Sequence, residues 1–207
     1  ELDIAIQGMG NVGSYLAEFL EERGYDVVAV SNSSGGIHDP DGVDVPEMLD
    51  SYRNGEGLDG FGEEITNDEL LTLNVDVLVP AAIEDQITDQ NMDEISADAA
   101  PDMENAPARP AAEQHLSDRG VVVVPDILAN AGGVTVSYFE WVQNEANEYW
   151  SEDKVNNKLA EQMRTAFDGI REVKEDGEDL TWRSAAYVHA VNTVLDAEGH
   201  RGNVSRS

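Results

Sequence analysis

The chain has 207 residues, 41% of them hydrophobic, and no cysteine. It is long enough to enclose a real core, but it forms neither disulfides nor thiolate metal sites. Asp and Glu number 43 against 12 Lys and Arg, a net charge of −31. That balance excludes nucleic acid and anionic membranes as expected partners, because no basic face is available to meet phosphate. No stretch approaches a membrane-spanning length, and the N-terminus lacks the basic and apolar regions of a signal peptide, so the expected setting is the cytoplasm. High negative charge ordinarily suggests disorder, but here the acids are spread through sequence with regular apolar periodicity. The expectation is a folded domain whose surface repels itself in dilute buffer and is relieved by salt.

Residues 2–6 read as a buried strand and lead into Gly8-Met9-Gly10-Asn11-Val12-Gly13. Residues 11–23 carry Val12, Tyr15, Leu16, Phe19 and Leu20 at the spacing of a helix face, and Gly24 ends that helix from the C′ position. Residues 26–30 are a second, nearly all-apolar strand, as suits a parallel sheet covered on both faces. Strand, glycine turn, helix and strand within about thirty residues make a βαβ unit. In that context Gly-x-Gly-x-x-Gly is a dinucleotide-binding turn. One glycine allows the bend, one lets the backbone approach the pyrophosphate, and the third lets helix and strand pack closely with the helix N-terminus facing the anion. The second strand ends in Ser31-Asn32-Ser33-Ser34. An acid there favours NAD, because it accepts from the 2′-hydroxyl of the ribose and repels a 2′-phosphate. Asn32 can bond the hydroxyl or tolerate the phosphate, so NAD and NADP both remain open.

Residues 35–42 read as turn-rich, with His38 a surface turn histidine. A helix is predicted over 45–52 behind Asp44 as cap, a loop over 55–62, and a short helix from Thr66. Residues 76–80 are a third strand. Ala81 and Ala82 follow at its carboxyl end, where ligands of open α/β sheets bind; small residues there either leave room for a cofactor ring or simply pack closely. The alternation predicts a fourth strand within 96–105, although Pro101 is foreign to a central ladder. A helix over 111–119 precedes a buried strand at 121–124. The chain then turns into a long helix reaching about Trp150, with Asn130 and the pair Gly132-Gly133 near the strand end, either at a site or as a cap with turn glycines. Tyr138, Phe139 and Trp141 on that helix read as core. Helices over 153–174 and 180–197 complete the chain, the first with a packing stripe of Leu159, Met163, Ala166, Phe167 and Ile170. No spacing suits a metal site or a nucleophile triad. The fold expected is α/β: a Rossmann-like, mostly parallel, doubly wound sheet with helices on both faces and a helical C-terminal extension. Residues 1–150 would be the dinucleotide-binding core, and 151–207 C-terminal helices packed on the same domain.

Several segments together resemble the C-terminal, dinucleotide-binding domain of hexameric glutamate dehydrogenases. They are Ala5-Ile6-Gln7-Gly8-Met9-Gly10-Asn11-Val12-Gly13, Ser33-Ser34-Gly35-Gly36-Ile37, Asp76-Val77-Leu78-Val79-Pro80-Ala81-Ala82, residues 125–141 (PDILANAGGVTVSYFEW), Arg183-Ser184-Ala185-Ala186-Tyr187 and Arg201-Gly202. Leucine, valine and phenylalanine dehydrogenases share the plan but match residues 127–141 less well. The acid-rich, lysine-poor composition resembles that of proteins from salt-loving archaea.

The resemblance implies oxidative deamination of L-glutamate to 2-oxoglutarate and ammonia, with hydride passing to NAD or NADP, in a homohexameric parent. It implies that Gly8, Gly10, Asn11, Val12 and Gly13 hold the pyrophosphate and that Ser31 and Asn32 flank the adenosine ribose. Ala81 and Ala82 would line the adenosine side, Asn105 would lie near the nicotinamide ribose, and Asn130 by the nicotinamide and substrate. Val134 and Ser137 would meet the amino-acid side chain, Ser137 near its distal carboxylate. Two segments depart from the family pattern. Asp102-Met103-Glu104-Asn105 stands where Glu-Gly-Ala-Asn is usual, and Asn32 where Asp is frequent. The family's catalytic lysines and aspartate lie in an N-terminal substrate domain, whereas this sequence begins at the first strand and its three lysines, Lys154, Lys158 and Lys174, fall on later helices. The expectation is half of an enzyme, with no catalytic residue of its own, inactive by itself. The alternatives are a stand-alone nucleotide-binding or sensing domain and a domain of a branched-chain amino-acid dehydrogenase.

Overall fold

The computed structural model describes residues 2–82, 86–101, 110–177 and 180–201. The chain divides into two compact units, residues 1–126 and 127–207, earlier than the division expected after residue 150.

The first unit is built on one sheet of seven strands: β1 (Asp3–Gln7), β2 (Asp26–Asn32), β3 (Gly35–His38), β4 (Glu63–Ile65), β5 (Val77–Pro80), β6 (Ala99–Pro101) and β7 (Val122–Val124). They lie in the order β4-β3-β2-β1-β5-β6-β7. The run from β2 to β7 is parallel, and β3 pairs antiparallel with both β2 and β4. The continuous apolar runs of β1 and β2 are what burial on both faces demands. Ile4, Ile6, Val27 and Val30 pack on one side with Ala17 of α1 (Asn11–Glu22) and Met48 and Leu49 of α2 (Val45–Arg53). Ala5, Val28, Leu78 and Val123 pack on the other with Leu70 and Leu71 of α3 (Asn67–Leu71) and Ala112 and Leu116 of α4 (Pro110–Asp118). The fold is thus mostly parallel with helices on both faces. After β2 the chain steps outward to β3 and β4, and the next parallel strand, β5, enters on the opposite side of β1. The order reverses at β1, so residues that follow Gln7 stand where open α/β sheets bind ligands.

Residues 35–38 are not the turn expected of them. They form β3, linked to β2 through Ser33-Ser34, the shortest hairpin connection. Gly36 lies so close to β2 that a Cβ there would sit 2.8 Å from both Ser31 Cβ and Val30 O. His38 is therefore a half-buried strand residue paired with Ala29. Residues 63–65, which carry no apolar alternation, form the edge strand β4. The fourth parallel strand, β6, spans Ala99–Pro101 and carries its proline at the last of these three positions.

The second unit is helical. The short α5 (Asp126–Ala129) leads to α6 (Ala131–Ala146), α7 (Glu152–Asp176) and α8 (Trp182–His200). The helix expected to reach Trp150 ends at Ala146, where Asn147 turns left-handed at φ 50. Ser151 and Thr181 cap α7 and α8 by accepting from the N–H groups of Lys154 and Ser184. The stripe of α7 is a packing face: Ile170 is buried, and Phe167 stacks on Trp182 with ring centroids 5.6 Å apart. Tyr138 and Trp141, expected in the core, are instead 54% and 57% exposed and stack on each other. An α-helix turns about 100° per residue, so Phe139 alone of the three points inward, against Trp150.

Candidate functional site

The glycine turn is tied to both strands beside it. Gly8 N donates to Ser31 O of β2 at 2.9 Å, and Ala81 N donates to Gln7 O at 2.8 Å. Gly8 adopts φ +99, and a Cβ on it would lie 2.7 Å from Ala81 O and 2.8 Å from Ala82 N. Ala81 and Ala82 thus stand directly behind the turn. A Cβ on Gly13 would run into Gly8 O, so α1 can lie on β1 only without one. Gly10 is different, since nothing lies within 4 Å of where its Cβ would be. The protein requires small residues at 8 and 13 for its own packing, while Gly10 keeps open a space outside.

That space faces the start of α1. Gly10 is its N-cap without a side-chain cap bond, and no acid occupies the first turn despite the charge of the chain. The first hydrogen bond of the helix is Ser14 N to Gly10 O. The N–H groups of Asn11, Val12 and Gly13 have no intrahelical acceptor and, with the helix dipole, suit a bound anion. The residues fit a dinucleotide pyrophosphate. Behind them Gln7 is 2% exposed; its Nε2 donates to Gln86 Oε1 at 2.8 Å, while its own Oε1 has no partner among the described residues.

The carboxyl end of β2 is clamped by Asn67. Ser31 is fully buried, and its hydroxyl donates to Asn67 Oδ1 at 2.7 Å. Asn67 Nδ2 in turn donates to Asn32 O at 2.9 Å. Asn32 Oδ1 accepts from Ser34 N at 2.7 Å, an Asx turn that fixes its side chain. Ser31 is thus spent on structure, and Asn32, half-buried, is the more accessible partner of the pair. Asn67 opens α3 inside a capping box. Thr66 Oγ1 accepts from Glu69 N, and Glu69 accepts from Thr66 N and Oγ1 at 2.8 and 2.9 Å. Those two donors hold the Glu69 carboxyl below its ordinary pKa. A cavity of about 610 Å³ opens here beside Asn32, bounded by Gly36, Asp59, Glu64, Asn67 and Glu69 among others.

Sequence reasoning missed Asn67 and Gln7. Thr66-x-x-Glu69 is a readable cap signal, and a glutamine closing an apolar strand is a readable anomaly. Nothing in the linear spacing joins Asn67 to Ser31.

In the second unit Asn130 joins α5 to α6 with φ −86 and ψ −5 and makes no side-chain cap bond. Gly132 and Gly133 lie within α6 rather than in a turn. Val134 is 70% exposed, and Ser137, also exposed, donates its hydroxyl to Gly133 O at 3.1 Å. At i, i+4 and i+7, residues 130, 134 and 137 share one helix face. Asn105 lies outside the described residues. All three lysines fall on α7; Lys154 and Lys158 hold their Nζ atoms 4.5 and 5.1 Å from the centre of the Trp150 ring. Among the described residues no group of His, Asp and Glu could hold a metal ion, and no helix is long and apolar enough to cross a membrane.

The chain is similar to known dehydrogenases over nearly its whole length. The sequence is 48% identical over 197 residues to the NADP-specific glutamate dehydrogenase A1 of Halobacterium salinarum, covering 94% of this chain and 47% of that protein. It is 45% identical over 200 residues to the NAD-specific glutamate dehydrogenase of Staphylococcus aureus, covering 96% and 48%. Among solved structures, the hetero-hexameric glutamate dehydrogenase of Thermus thermophilus in its Leu-bound form superposes with a TM-score of 0.87 at 32% identity, covering 99% of this chain and 48% of that one. The glutamate dehydrogenase of Peptoniphilus asaccharolyticus gives 0.81, also at 32% identity, covering 98% and 47%. The chain spans about half the length of the relatives it matches. The sequence model of the Glutamate/Leucine/Phenylalanine/Valine dehydrogenases matches residues 1–202, and the chain belongs to that family.

Proposed function

We propose that this chain is the cofactor-binding half of an NAD(P)-dependent glutamate dehydrogenase, which oxidises L-glutamate to 2-oxoglutarate and ammonia. The observation that carries the reading is the uncapped, acid-free start of α1 behind a Gly10 whose outward side is open. Bound there, the dinucleotide supplies the hydride acceptor. The chain's own residues position it: Gly8 and Gly13 set the path of the turn, and the N–H groups of residues 11–13 hold the pyrophosphate. Asn32 meets the adenosine ribose, with Ser31 and Asn67 fixing its backbone, and Ala81 and Ala82 back the adenosine side. Asn130, Val134 and Ser137 form the exposed helix face that meets nicotinamide and substrate, and Asn105 belongs by resemblance to the nicotinamide ribose. The Rossmann assignment rests on the strand reversal at β1.

Glutamate is favoured over a branched-chain amino acid because both relatives at 45–48% identity are named glutamate dehydrogenases. A homohexameric parent in a salt-rich archaeal cytoplasm completes the reading. It is supported by the hexamer named in the Thermus structure, the Halobacterium relative and the net charge of −31. Titration with NAD and NADP, followed by an assay of glutamate oxidation, tests the proposal. The expected result is nucleotide binding without turnover by this chain alone. Turnover would overturn the placement of the catalytic groups outside it, and failure to bind either nucleotide in high salt would overturn the cofactor reading. A sensing domain without catalysis predicts that no substrate half restores activity.

A further inference from the structure

We propose that the cavity at the carboxyl end of β2 selects a dinucleotide with a free 2′-hydroxyl, NAD over NADP, with Asn32 as the hydroxyl partner and the carboxylates of Glu64 and Glu69 excluding a 2′-phosphate. This rests on the reading that the glycine turn holds the pyrophosphate. Gly8 N is bonded directly to Ser31 O, so the turn and the end of β2 form one continuous surface. A pyrophosphate on α1 sends its adenosine ribose to that strand end.

The lining of the cavity then decides which ribose fits. None of its described lining residues is Lys, Arg or His, and the charged groups among them are Asp59, Glu64 and Glu69. Glu69 is not free to swing away, because Thr66 N and Oγ1 pin its carboxylate. A phosphate monoester carries a charge of about −1.5 to −2 near neutral pH and would enter among these carboxylates without a cation. The neutral groups suit a hydroxyl better. With one lone pair of Asn32 Oδ1 occupied by Ser34 N, its second lone pair and its Nδ2 are left to accept from and donate to one oxygen. Asn67 is a positioning residue here, since it holds Asn32 through the main chain. Overall identity does not decide the matter, for relatives named as NADP-specific and as NAD-specific match this chain about equally well.

Calorimetric titration of the full chain with NAD and with NADP tests the proposal, at the lowest salt at which circular dichroism remains native. NAD should bind tighter by about tenfold or more, as expected for two carboxylates near a dianion in screened solvent. Glu64→Gln combined with Glu69→Gln should shrink that ratio by about threefold or more, chiefly by tightening NADP. Glutamine at 69 still serves the capping box, and Glu64→Gln alone, which leaves the cap untouched, should move the ratio in the same direction. Asp68→Asn, on α3 but outside the cavity lining, should leave it unchanged. NADP binding as tightly as NAD, or a ratio that both glutamine variants leave unaltered, overturns the selectivity while leaving the cofactor reading standing. Binding of neither nucleotide removes the cofactor reading, and the selectivity with it.

Discussion

Three glycines in one motif do different work, and substitution separates them. Gly8 is held at positive φ with the backbone of Ala81 and Ala82 where its Cβ would be, and Gly13 has Gly8 O in that place. Alanine at 8 pushes the turn off the backbone that follows β5, and alanine at 13 pushes α1 off the turn, and each variant should lose about 2 kcal/mol or more of stability. A methyl group at Gly10 meets nothing of the protein. Gly10→Ala should therefore lose far less stability than alanine at 8 or 13, shifting the melting temperature by no more than about 2–4 °C, which is what about 1 kcal/mol gives a chain of this length. It should nevertheless bind NAD about tenfold more weakly, because the methyl occupies the path by which a pyrophosphate reaches the first N–H groups of α1. Scanning fluorimetry and calorimetry on the same preparation read both quantities, and undiminished binding by Gly10→Ala would place the phosphate elsewhere. The motif was readable in the sequence because its spacing is local. What the sequence did not show is that the backbone of Ala81 and Ala82, arriving after β5 from far along the chain, is what closes the space at Gly8. Asn67 was hidden for the same reason: its partners Ser31 and Asn32 end a strand that only the folded sheet brings beside α3.

At the level of elements, α7 and α8 cross where the His189 ring occupies the place a Cβ on Gly169 would take. Gly169→Ala should destabilise the chain by about 1–3 kcal/mol in urea melts. Gly169→Ala with His189→Ala should recover part of that, a coupling of at least about 0.5 kcal/mol, since the clash needs both groups. Strictly additive losses would mean that the helices do not meet there. The capping box of α3 makes a prediction of opposite character. Its donors hold Glu69 below the ordinary carboxylate pKa, so the contribution is fully present above the unfolded value of about 4.3 and is lost as pH falls through the folded one. The stability difference between the parent and Glu69→Gln should hence shrink on acidification from neutrality into that range; a difference that does not change with pH would mean the carboxylate charge is not what the cap uses. Elements of this kind are readable when their signal is local. Continuous apolar runs marked β1, β2, β5 and β7, and Asp44 and Thr66 announced their helices. β3 and β4 lacked any such mark, because Gly35-Gly36-Ile37 and Glu63-Glu64-Ile65 become strands only by pairing with β2 and with each other. The aromatic cluster of α6 misled because three neighbouring residues on a helix cannot all face one way, and the sequence does not say which one turns inward.

The whole molecule carries −31 on 207 residues, and its few cations do little to offset that. Arg53 pairs with Glu18 across α1 and α2 at 2.9 Å, and Arg171 and Arg201 pair with acids on their own or the adjoining turns; exposed pairs of this kind contribute little. Two of the three lysines sit over Trp150. Most of the acidic surface is left to repel itself, and that repulsion weakens as the Debye length falls from about 10 Å at 0.1 M salt to about 3 Å at 1 M. The melting temperature should accordingly rise by several degrees between millimolar and molar KCl, most steeply over the range in which the Debye length changes fastest. Screening must be told apart from a general strengthening of apolar burial, which excluded solutes also produce. Sucrose at matched osmolality strengthens burial without screening charge, so it should raise the melting temperature far less than KCl does. Equal rises in KCl and sucrose would assign the effect to burial, and a melting temperature that ignores KCl altogether would mean that the charges lie too far apart on the folded surface to oppose it.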